Sequence, residues 1–273
     1  MRLEAETPAR LSSRSKSRIH GSAILVGLIV SALTVVAAWA LSLDRRALWP
    51  VVRTCVAAYR LSGSPFPCIA VDLNGGEGRG FVVLRPPVGD PDTILAPTRR
   101  LTGVEDPFLQ SPDAPNYFAQ AWEARRFLSD SGESIAPGRV ALVVNSAYQR
   151  SQDQLHIHIG CAAPEFGAAA RAFAESAPAG VWLRVGRRLP GFWGLRTGSS
   201  DLAGIEPFRL AAEAFGGDSR RRANLTIAVA NAPVDGRDDF IILVTRPGEG
   251  PWWPPGADEL LDTGCTEEPK LGD

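Results

Sequence analysis

The chain has 273 residues, of which 45% are hydrophobic and 22% are charged, proportions typical of a globular protein. Its formal net charge is −1, and no stretch concentrates lysine and arginine into a basic stripe, so the composition gives no support to a nucleic-acid partner. Once the N-terminal segment is set aside, the length predicts one domain of ordinary to large size.

The N-terminal segment predicts a membrane anchor. Residues 1–20 are polar and carry several arginines, whereas residues 21–43 carry no charge. An uncharged run of about 23 residues can cross a bilayer as a helix, and the preceding basic residues place the N-terminus in the cytoplasm. A cleaved signal peptide ending at Ala38-Trp39-Ala40 is the alternative, although its apolar region is usually shorter. We therefore expect a cytoplasmic tail at 1–20, a transmembrane anchor at 21–43 and an exported domain at 44–273.

Four cysteines lie beyond this anchor, and their even number in an exported domain predicts disulfides. They are Cys55, Cys68, Cys161 and Cys265. Four cysteines allow three connectivities, and spacing alone does not choose among them. Proximity favours Cys55 with Cys68 across a short loop, which leaves Cys161 to pair with Cys265.

The chain from 44 onward predicts a mixture of helices and strands. A juxtamembrane helix extends to Tyr59, strands at 81–84 and 93–96 form a hairpin, and Asn116 caps a helix at 117–130. A strand at 140–145 pairs antiparallel with the next strand, and helices follow at 166–176 and 207–215. Strands at 225–231 and 240–245 form a second hairpin, and the chain from Gly248 is expected to be irregular.

A basic and apolar segment lies between these elements. Residues 182–196 combine tryptophan, leucine and arginine. Such a segment either lies at a lipid headgroup layer or is an ordinary loop.

Residues 154–159 carry the strongest chemical signal. They alternate polar and apolar side chains with period two, which predicts a half-buried strand whose apolar residues face the core. Gln154, His156 and His158 then share the other face, where residues two apart lie roughly 7 Å from each other. Two imidazoles at that spacing can converge on a phosphate. The alternatives are a surface with no task, or a zinc or copper site, although no further histidine lies beyond the anchor.

A family resemblance rests on this strand and on two other motifs. Asn145, a polar loop with Gln152, and the run Gln-Leu-His-Ile-His-Ile resemble the histidine-triad superfamily, in which an Asn precedes a strand reading His-x-His-x-His. More narrowly, this strand, the run Leu-Ala-Pro-Thr-Arg-Arg at 95–100 and the helix at 115–125 together resemble the CDP-diacylglycerol pyrophosphatase family. The similarity covers most of the chain beyond the anchor. The first histidine of the family's triad is matched here by Gln154.

The resemblance implies an α+β fold, with a histidine-triad-like antiparallel sheet and flanking helices. It implies hydrolysis of CDP-diacylglycerol to CMP and phosphatidate, with no cofactor and no metal. By position, His156 is the nucleophile that forms a cytidylyl-histidine, and His158 stabilises charge in the transition state. Four further residues are assigned to substrate binding: Asn145, Gln152, Gln154 and Arg99.

The substitution at Gln154 leaves one feature of the family's chemistry intact. In the family the backbone carbonyl at this position accepts the Nδ1 proton of the nucleophile, and a backbone carbonyl survives a change of side chain. We therefore expect activity to persist. Arg99 and its neighbour Arg100 are equally well interpreted as solvated loop residues.

The resemblance also implies a setting. The enzyme is expected on the periplasmic side of a bacterial inner membrane, where its anchor keeps it beside a lipid substrate in phospholipid metabolism. Two other functions stay open. One is a membrane-tethered nucleotidyl (CMP) transferase that uses an acceptor other than water, and the other is a non-catalytic nucleotide- or lipid-binding module.

Overall fold

The structure is a computed structural model, and it describes residues 44–85, 93–129, 135–245, 255–262 and 265. The predicted tail and anchor at 1–43 lie outside the described residues. Within those ranges no helix is both long enough and apolar enough to cross a membrane.

A ten-stranded antiparallel sheet runs through the described chain. Its strands are β1 (Ala70–Asp72), β2 (Phe81–Leu84), β3 (Thr93–Pro97), β4 (Val140–Val144), β5 (Ile157–Ala162), β6 (Trp182–Arg184), β7 (Phe192–Arg196), β8 (Ile227–Asn231), β9 (Phe240–Thr245) and β10 (Leu261–Asp262). They stand in the order β1-β2-β3-β5-β4-β8-β9-β7-β6, and β10 pairs with β5. Strand β5, which carries His158 and directly follows His156, is therefore central.

Helices flank this sheet in the described ranges. They are α1 (Leu48–Ser62), α2 (Tyr117–Ala124), α3 (Pro164–Ser176), α4 (Pro207–Ala211), α5 (Ser219–Arg222) and α6 (Ala257–Leu260). The predicted α+β class and the antiparallel sheet are confirmed.

One face of the sheet is covered by α2 and α4. Leu142 of β4 and Ile157 of β5 are fully buried beneath Phe118 and Phe208, whose ring centroids are 4.8 Å apart. Burial of each large side chain contributes roughly 1.5 to 3 kcal/mol. This face forms the larger part of the core.

Two separate helices pack on the opposite face of the sheet. Helix α1 packs Val52 on β2 and β3, whereas α3 packs Phe166 and Phe173 on β4, β8 and β9. His158 of β5 points to this face between the two covers, because its direct partners across the ladders are Ile94 and Val143, one in each cluster. The candidate site therefore lies in the gap between α1 and α3.

Several predicted elements are confirmed with altered bounds. The hairpin of β2 and β3, the pairing of β4 with β5 and the second hairpin of β8 and β9 are all present. Asn116 caps α2 by accepting a hydrogen bond from the Ala119 N–H at 3.0 Å. The α-helical part ends at Ala124 and continues as a 3₁₀ turn to Phe127, shorter than the predicted 117–130.

Two local predictions are wrong. The tail is not irregular throughout, because residues 257–262 form α6 and β10. The strand predicted at 154–159 begins only at Ile157, as β5, and its polar side is more covered than predicted: Gln154 is 0% exposed and His156 is 6% exposed, while His158 is half-buried. In addition, the basic segment 182–196 proves to be an edge hairpin, β6 and β7.

Both predicted disulfides are confirmed. Cys55 of α1 is bonded to Cys68, and Cys161 of β5 is bonded to Cys265. Disulfides persist in oxidising compartments, so the two bonds indicate an extracytoplasmic domain. The second bond also attaches the C-terminal segment to β5, the strand that carries His158.

Candidate active site

His156 is held by the backbone immediately before it. Its Nδ1 lies 2.7 Å from the backbone oxygen of Gln154. A carbonyl oxygen only accepts, so the ring proton lies on Nδ1 and Nε2 keeps its lone pair. This is the tautomer that the family resemblance implies, and it depends on the backbone of residue 154 alone.

The surroundings of His156 also keep it neutral. Burial lowers the pKa of His156 to about 3, and electrostatic repulsion involving His158 and Arg150 acts in the same direction. The hydrogen bond to the Gln154 carbonyl acts in the opposite direction and offsets only part of the effect. The imidazole is therefore unprotonated at physiological pH.

His158 lies beside His156, with ring centroids 4.9 Å apart. Asn145 holds it from the end of β4, with its Nδ2 3.4 Å from His158 Nε2. The amide orientation follows from its other contact, because Asn145 Oδ1 accepts the Ala257 N–H at 2.8 Å. The NH₂ group of Asn145 then faces the imidazole, so Nε2 of His158 is the acceptor in this contact.

The C-terminal segment takes part in this arrangement through Gly256. A Cβ atom at Gly256 would lie 2.9 Å from Asn145 Oδ1 and 3.3 Å from Gln149 Cβ. Only a glycine allows this close approach of the backbone to the Asn145 side chain. Sequence reasoning missed Gly256 because it lies among other glycines and prolines.

Gln154 connects the start of the histidine strand to the end of β3. Its Nε2 donates hydrogen bonds to the backbone oxygens of Pro97 and Arg99, at 3.1 and 3.0 Å. The Arg99 guanidinium lies over the ring of Phe108, 4.0 Å from its centroid. The backbone of Arg99 therefore borders the site, whereas its side chain stacks on an aromatic ring.

Gln152 binds the N-terminus of α1. Its Oε1 accepts the Leu48 N–H at 2.8 Å, and its Nε2 donates to the Asp44 oxygen at 3.1 Å. The N-cap residue Ala47 offers no side-chain hydrogen bond. Gln152 thus acts as a long-range cap of α1, and its contact with substrate stays a prediction.

An ion-pair network centred on the buried Arg150 supports the loop before the histidines. Arg150 is 8% exposed, and two of its nitrogens each lie 2.8 Å from an oxygen of Glu105. Its Nε binds Asp153 at 3.0 Å, and Arg45 binds the same carboxylate at 2.9 Å. Hydrogen bonding from Arg45, together with Arg150, holds the pKa of Asp153 below its usual value.

Gly103 makes room for this network. A Cβ at Gly103 would lie 2.2 Å from Arg150 Nη1 and 2.7 Å from Glu105 Oε2. Sequence reasoning missed Gly103, Glu105 and Arg150, because an arginine in a polar loop resembles any solvated arginine. Its partner Glu105 lies 45 positions away in the sequence.

The structure brings four of the predicted site residues together. A small cleft reaches His156 and is lined by Gly103, Val144, Asn145, Arg150, Gln154, Leu155 and His156. His158 adjoins it through its contacts with His156 and Asn145. In the described ranges, no three His, Cys, Asp or Glu residues are grouped so that they could hold a metal ion.

The fold and this geometry define a class of protein: an extracytoplasmic α+β protein with a neutral, oriented histidine beside a second histidine. Comparison with known proteins gives the family. The family model for CDP-diacylglycerol pyrophosphatase matches residues 43–269. The chain therefore belongs to the CDP-diacylglycerol pyrophosphatase family.

Curated relatives agree with this assignment. A CDP-diacylglycerol pyrophosphatase of Yersinia pestis is 31% identical over 233 residues, covering 82% of this chain and 86% of the relative. Proteins of the same name from Mycobacterium bovis (strain BCG / Pasteur 1173P2) and Mycobacterium tuberculosis (strain ATCC 25177 / H37Ra) are each 33% identical over 227 residues, with 82% and 84% coverage. The similarity thus extends over most of both chains.

Proposed function

We propose that His156 is the nucleophile with which this chain cleaves the pyrophosphate bond of CDP-diacylglycerol. The activity itself follows from the family: the chain is a CDP-diacylglycerol diphosphatase of phospholipid metabolism. The observation that carries the proposal is the hydrogen bond from His156 Nδ1 to the Gln154 oxygen, which leaves Nε2 with its lone pair.

In the first step, Nε2 of His156 attacks the phosphorus next to cytidine. The N–P bond forms while the bond from phosphorus to the bridging oxygen breaks, and the electron pair leaves with phosphatidate. A neutral nucleophile suits this step, because an anion would be repelled by the phosphoryl oxygens. Phosphatidate is a phosphate monoester with a second pKa of about 6, so its departure needs little proton donation.

The bound substrate also stabilises the product of this attack. The neutral ring gains a positive charge when Nε2 bonds to phosphorus, and the negative phosphate oxygens beside it stabilise that charge. His158, oriented by Asn145, faces the charge that develops on phosphorus and stabilises it.

In the second step, water attacks the phosphorus of the cytidylyl-histidine. The N–P bond breaks, its electron pair returns to Nε2, and CMP is released. The oxygen of the water stays on phosphorus, and its proton is released to the solvent. A CMP transferase would differ only here, by admitting an acceptor other than water.

We further propose that the described domain is histidine-triad-like and is anchored in a bacterial inner membrane, with the domain at 44–273 on the periplasmic side. The uncharged run at 21–43 and the basic residues before it support the anchor and its direction. The disulfides support the extracytoplasmic side. A lipid substrate stays in the bilayer, so an anchored enzyme meets it there.

The test compares His156→Ala with His158→Ala, a matched control two residues along the same face. CDP-diacylglycerol labelled in the phosphate next to cytidine is turned over and quenched in alkali, where phosphohistidine is stable, or in acid, where it is not. We expect the alkaline quench to retain label on the peptide containing His156. His156→Ala should lose turnover almost completely, and His158→Ala should lose roughly 10²- to 10³-fold, as for one transition-state donor.

Each outcome has a defined meaning. Wild-type turnover by His156→Ala, or label on another peptide, would refute the mechanism. Label transferred to an added alcohol in preference to water would indicate the transferase. Binding without turnover in the wild-type chain would indicate the non-catalytic module.

A further inference from the structure

The β6–β7 hairpin at the sheet edge presents a cluster of positive charge. Arg184, Arg187 and Arg188 are exposed, and no acidic residue occurs between positions 177 and 200. The fourth arginine of this stretch, Arg196, is neutralised by Asp239 at 2.7 Å. Arg184 lies over the Trp193 ring, with its Cζ 5.5 Å from the ring centroid, so Arg187 and Arg188 are the charges that the β6–β7 turn presents.

A groove of about 330 Å³ lies between this hairpin and α3. Ala169 and Phe173 of α3 and Leu183 and Val185 of the hairpin supply apolar side chains, and the three arginines also line it. Gly194 of β7 shapes the floor, because a Cβ there would lie 2.7 Å from the Phe173 ring. Leu183 is 38% exposed, so part of this apolar surface faces water. The groove thus combines apolar surface with guanidinium groups.

The groove shares a face and an end of the sheet with the paired histidines. Directly opposed residues of antiparallel strands point to the same face, and one row of such pairs crosses from β5 to β6: His158, Val143, Ala228, Leu243, Gly194 and Leu183. The next row runs from Val144 to Arg184, so the β6–β7 turn leaves the sheet at the same end as Asn145.

The groove is nevertheless separate from the histidine cleft. Five strand spacings lie between β5 and β6, which amounts to roughly 24 Å. The loop before the histidines leaves from the same sheet end, and its Asp153 binds Arg45, which lies two residues after the predicted anchor in sequence. The groove and the residues next to the predicted anchor therefore occupy one end of the sheet.

We propose that this groove binds the headgroup of an anionic phospholipid of the bilayer. The arginines bind its phosphate, since guanidinium groups match phosphate oxygens in pairs, and the apolar floor contacts the glycerol and the first acyl carbons. Anionic leaflets attract clustered arginines in this way. The inference rests on the proposed membrane setting and is independent of His156.

Binding would hold the end of the sheet that carries the histidines against the surface that contains CDP-diacylglycerol. The full chain is reconstituted in vesicles of phosphatidylcholine and phosphatidylglycerol, with bromine on the acyl chains of one lipid or the other. Brominated chains quench tryptophan on contact. Trp182 and Trp193 pack against Phe215 on the other face of the hairpin, and Trp39 lies in the predicted anchor, so the signal is the difference in quenching between Leu183→Trp, which places a reporter in the groove, and the same chain without that change. We expect stronger quenching by brominated phosphatidylglycerol than by brominated phosphatidylcholine.

Charge reversal tests the arginines. In the double variant Arg187→Glu, Arg188→Glu, the fraction of brominated phosphatidylglycerol needed in the vesicle for half of the maximal quenching should rise by on the order of tenfold or more. Arg237→Glu is the control, since Arg237 is exposed in the β8–β9 turn at the other end of the sheet. His156→Ala should quench like the wild type, which separates this proposal from the catalytic one.

Three results would overturn the groove. The first is equal quenching by the two brominated lipids when the chain floats with the vesicles. The second is an unchanged dependence of quenching on brominated phosphatidylglycerol in the double variant, and the third is the same change in Arg237→Glu as in the double variant. A chain that does not float with the vesicles would overturn the anchor and the groove together.

Discussion

Acidification should destabilise this domain through His156. Burial lowers the pKa of His156 to about 3 in the folded chain, whereas an exposed histidine titrates near 6.5. As pH falls through 6.5 the unfolded chain binds a proton that the folded chain does not, so the free energy of unfolding decreases. The loss continues until about pH 3, where both forms are protonated, and it is absent above neutral pH.

The magnitude follows from the two pKa values. Between pH 7 and pH 5 the unfolded histidine becomes almost fully protonated while His156 stays neutral, which lowers the free energy of unfolding by about 2 kcal/mol. Asp153 also contributes to acid loss, because Arg45 holds its pKa below the usual value. The contribution of His156 must therefore be measured as the difference in pH dependence between the wild type and a variant that lacks this histidine.

The assay is urea unfolding of the full chain in a nonionic detergent, followed by tryptophan fluorescence at pH 7, 6 and 5. His156→Gln cannot take up the proton, so its free energy of unfolding should fall by about 2 kcal/mol less than that of the wild type over this range. His158→Gln retains His156 and serves as the matched control. Equal pH slopes for wild type and His156→Gln would show that His156 is not buried in its neutral form.

Two further predictions concern stability. Gln152→Ala removes both hydrogen bonds to the N-terminus of α1 and should lower the free energy of unfolding by about 1 kcal/mol. Gln152→Glu keeps the acceptor for the Leu48 N–H and should recover part of that free energy. An unchanged urea midpoint in Gln152→Ala would contradict the role of Gln152 as a cap. Joint Cys161→Ser and Cys265→Ser changes open a loop of 104 residues and should cost up to about 4 to 5 kcal/mol in the loop-entropy model, with the C-terminal segment becoming sensitive to protease first. Protease resistance equal to that of the wild type would contradict this role.

Much of the fold could be predicted from local patterns. Period-two alternation and β-branched runs identify β4, β5, β8 and β9, since a strand's pattern is set by its immediate neighbours in sequence. The cap at Asn116 and both disulfides were also predictable. The short strands β1, β6 and β10 were not, because two or three residues carry no periodicity.

The candidate site, like the fold, has features that local sequence predicts and others that only the tertiary structure decides. The sequence alone placed His156 and His158 on one face of a strand, two residues apart, because alternation is a property of the backbone. It could not tell whether that face meets water or protein, and only the packed structure shows His156 buried, with a lowered pKa. Burial depends on what covers the strand, and the covers come from distant parts of the chain.

The partners of the site residues were likewise decided by tertiary structure. Arg150 meets Glu105 across 45 positions, Gln152 meets Leu48 across 104, and Asn145 meets Ala257 across 112. A polar side chain has the same local sequence signature whether it is solvated, paired or bound to a distant backbone group. The sequence therefore determined which chemical groups are present and which strand carries them, whereas the fold decided which groups meet, because hydrogen bonds and ion pairs depend on distance in space.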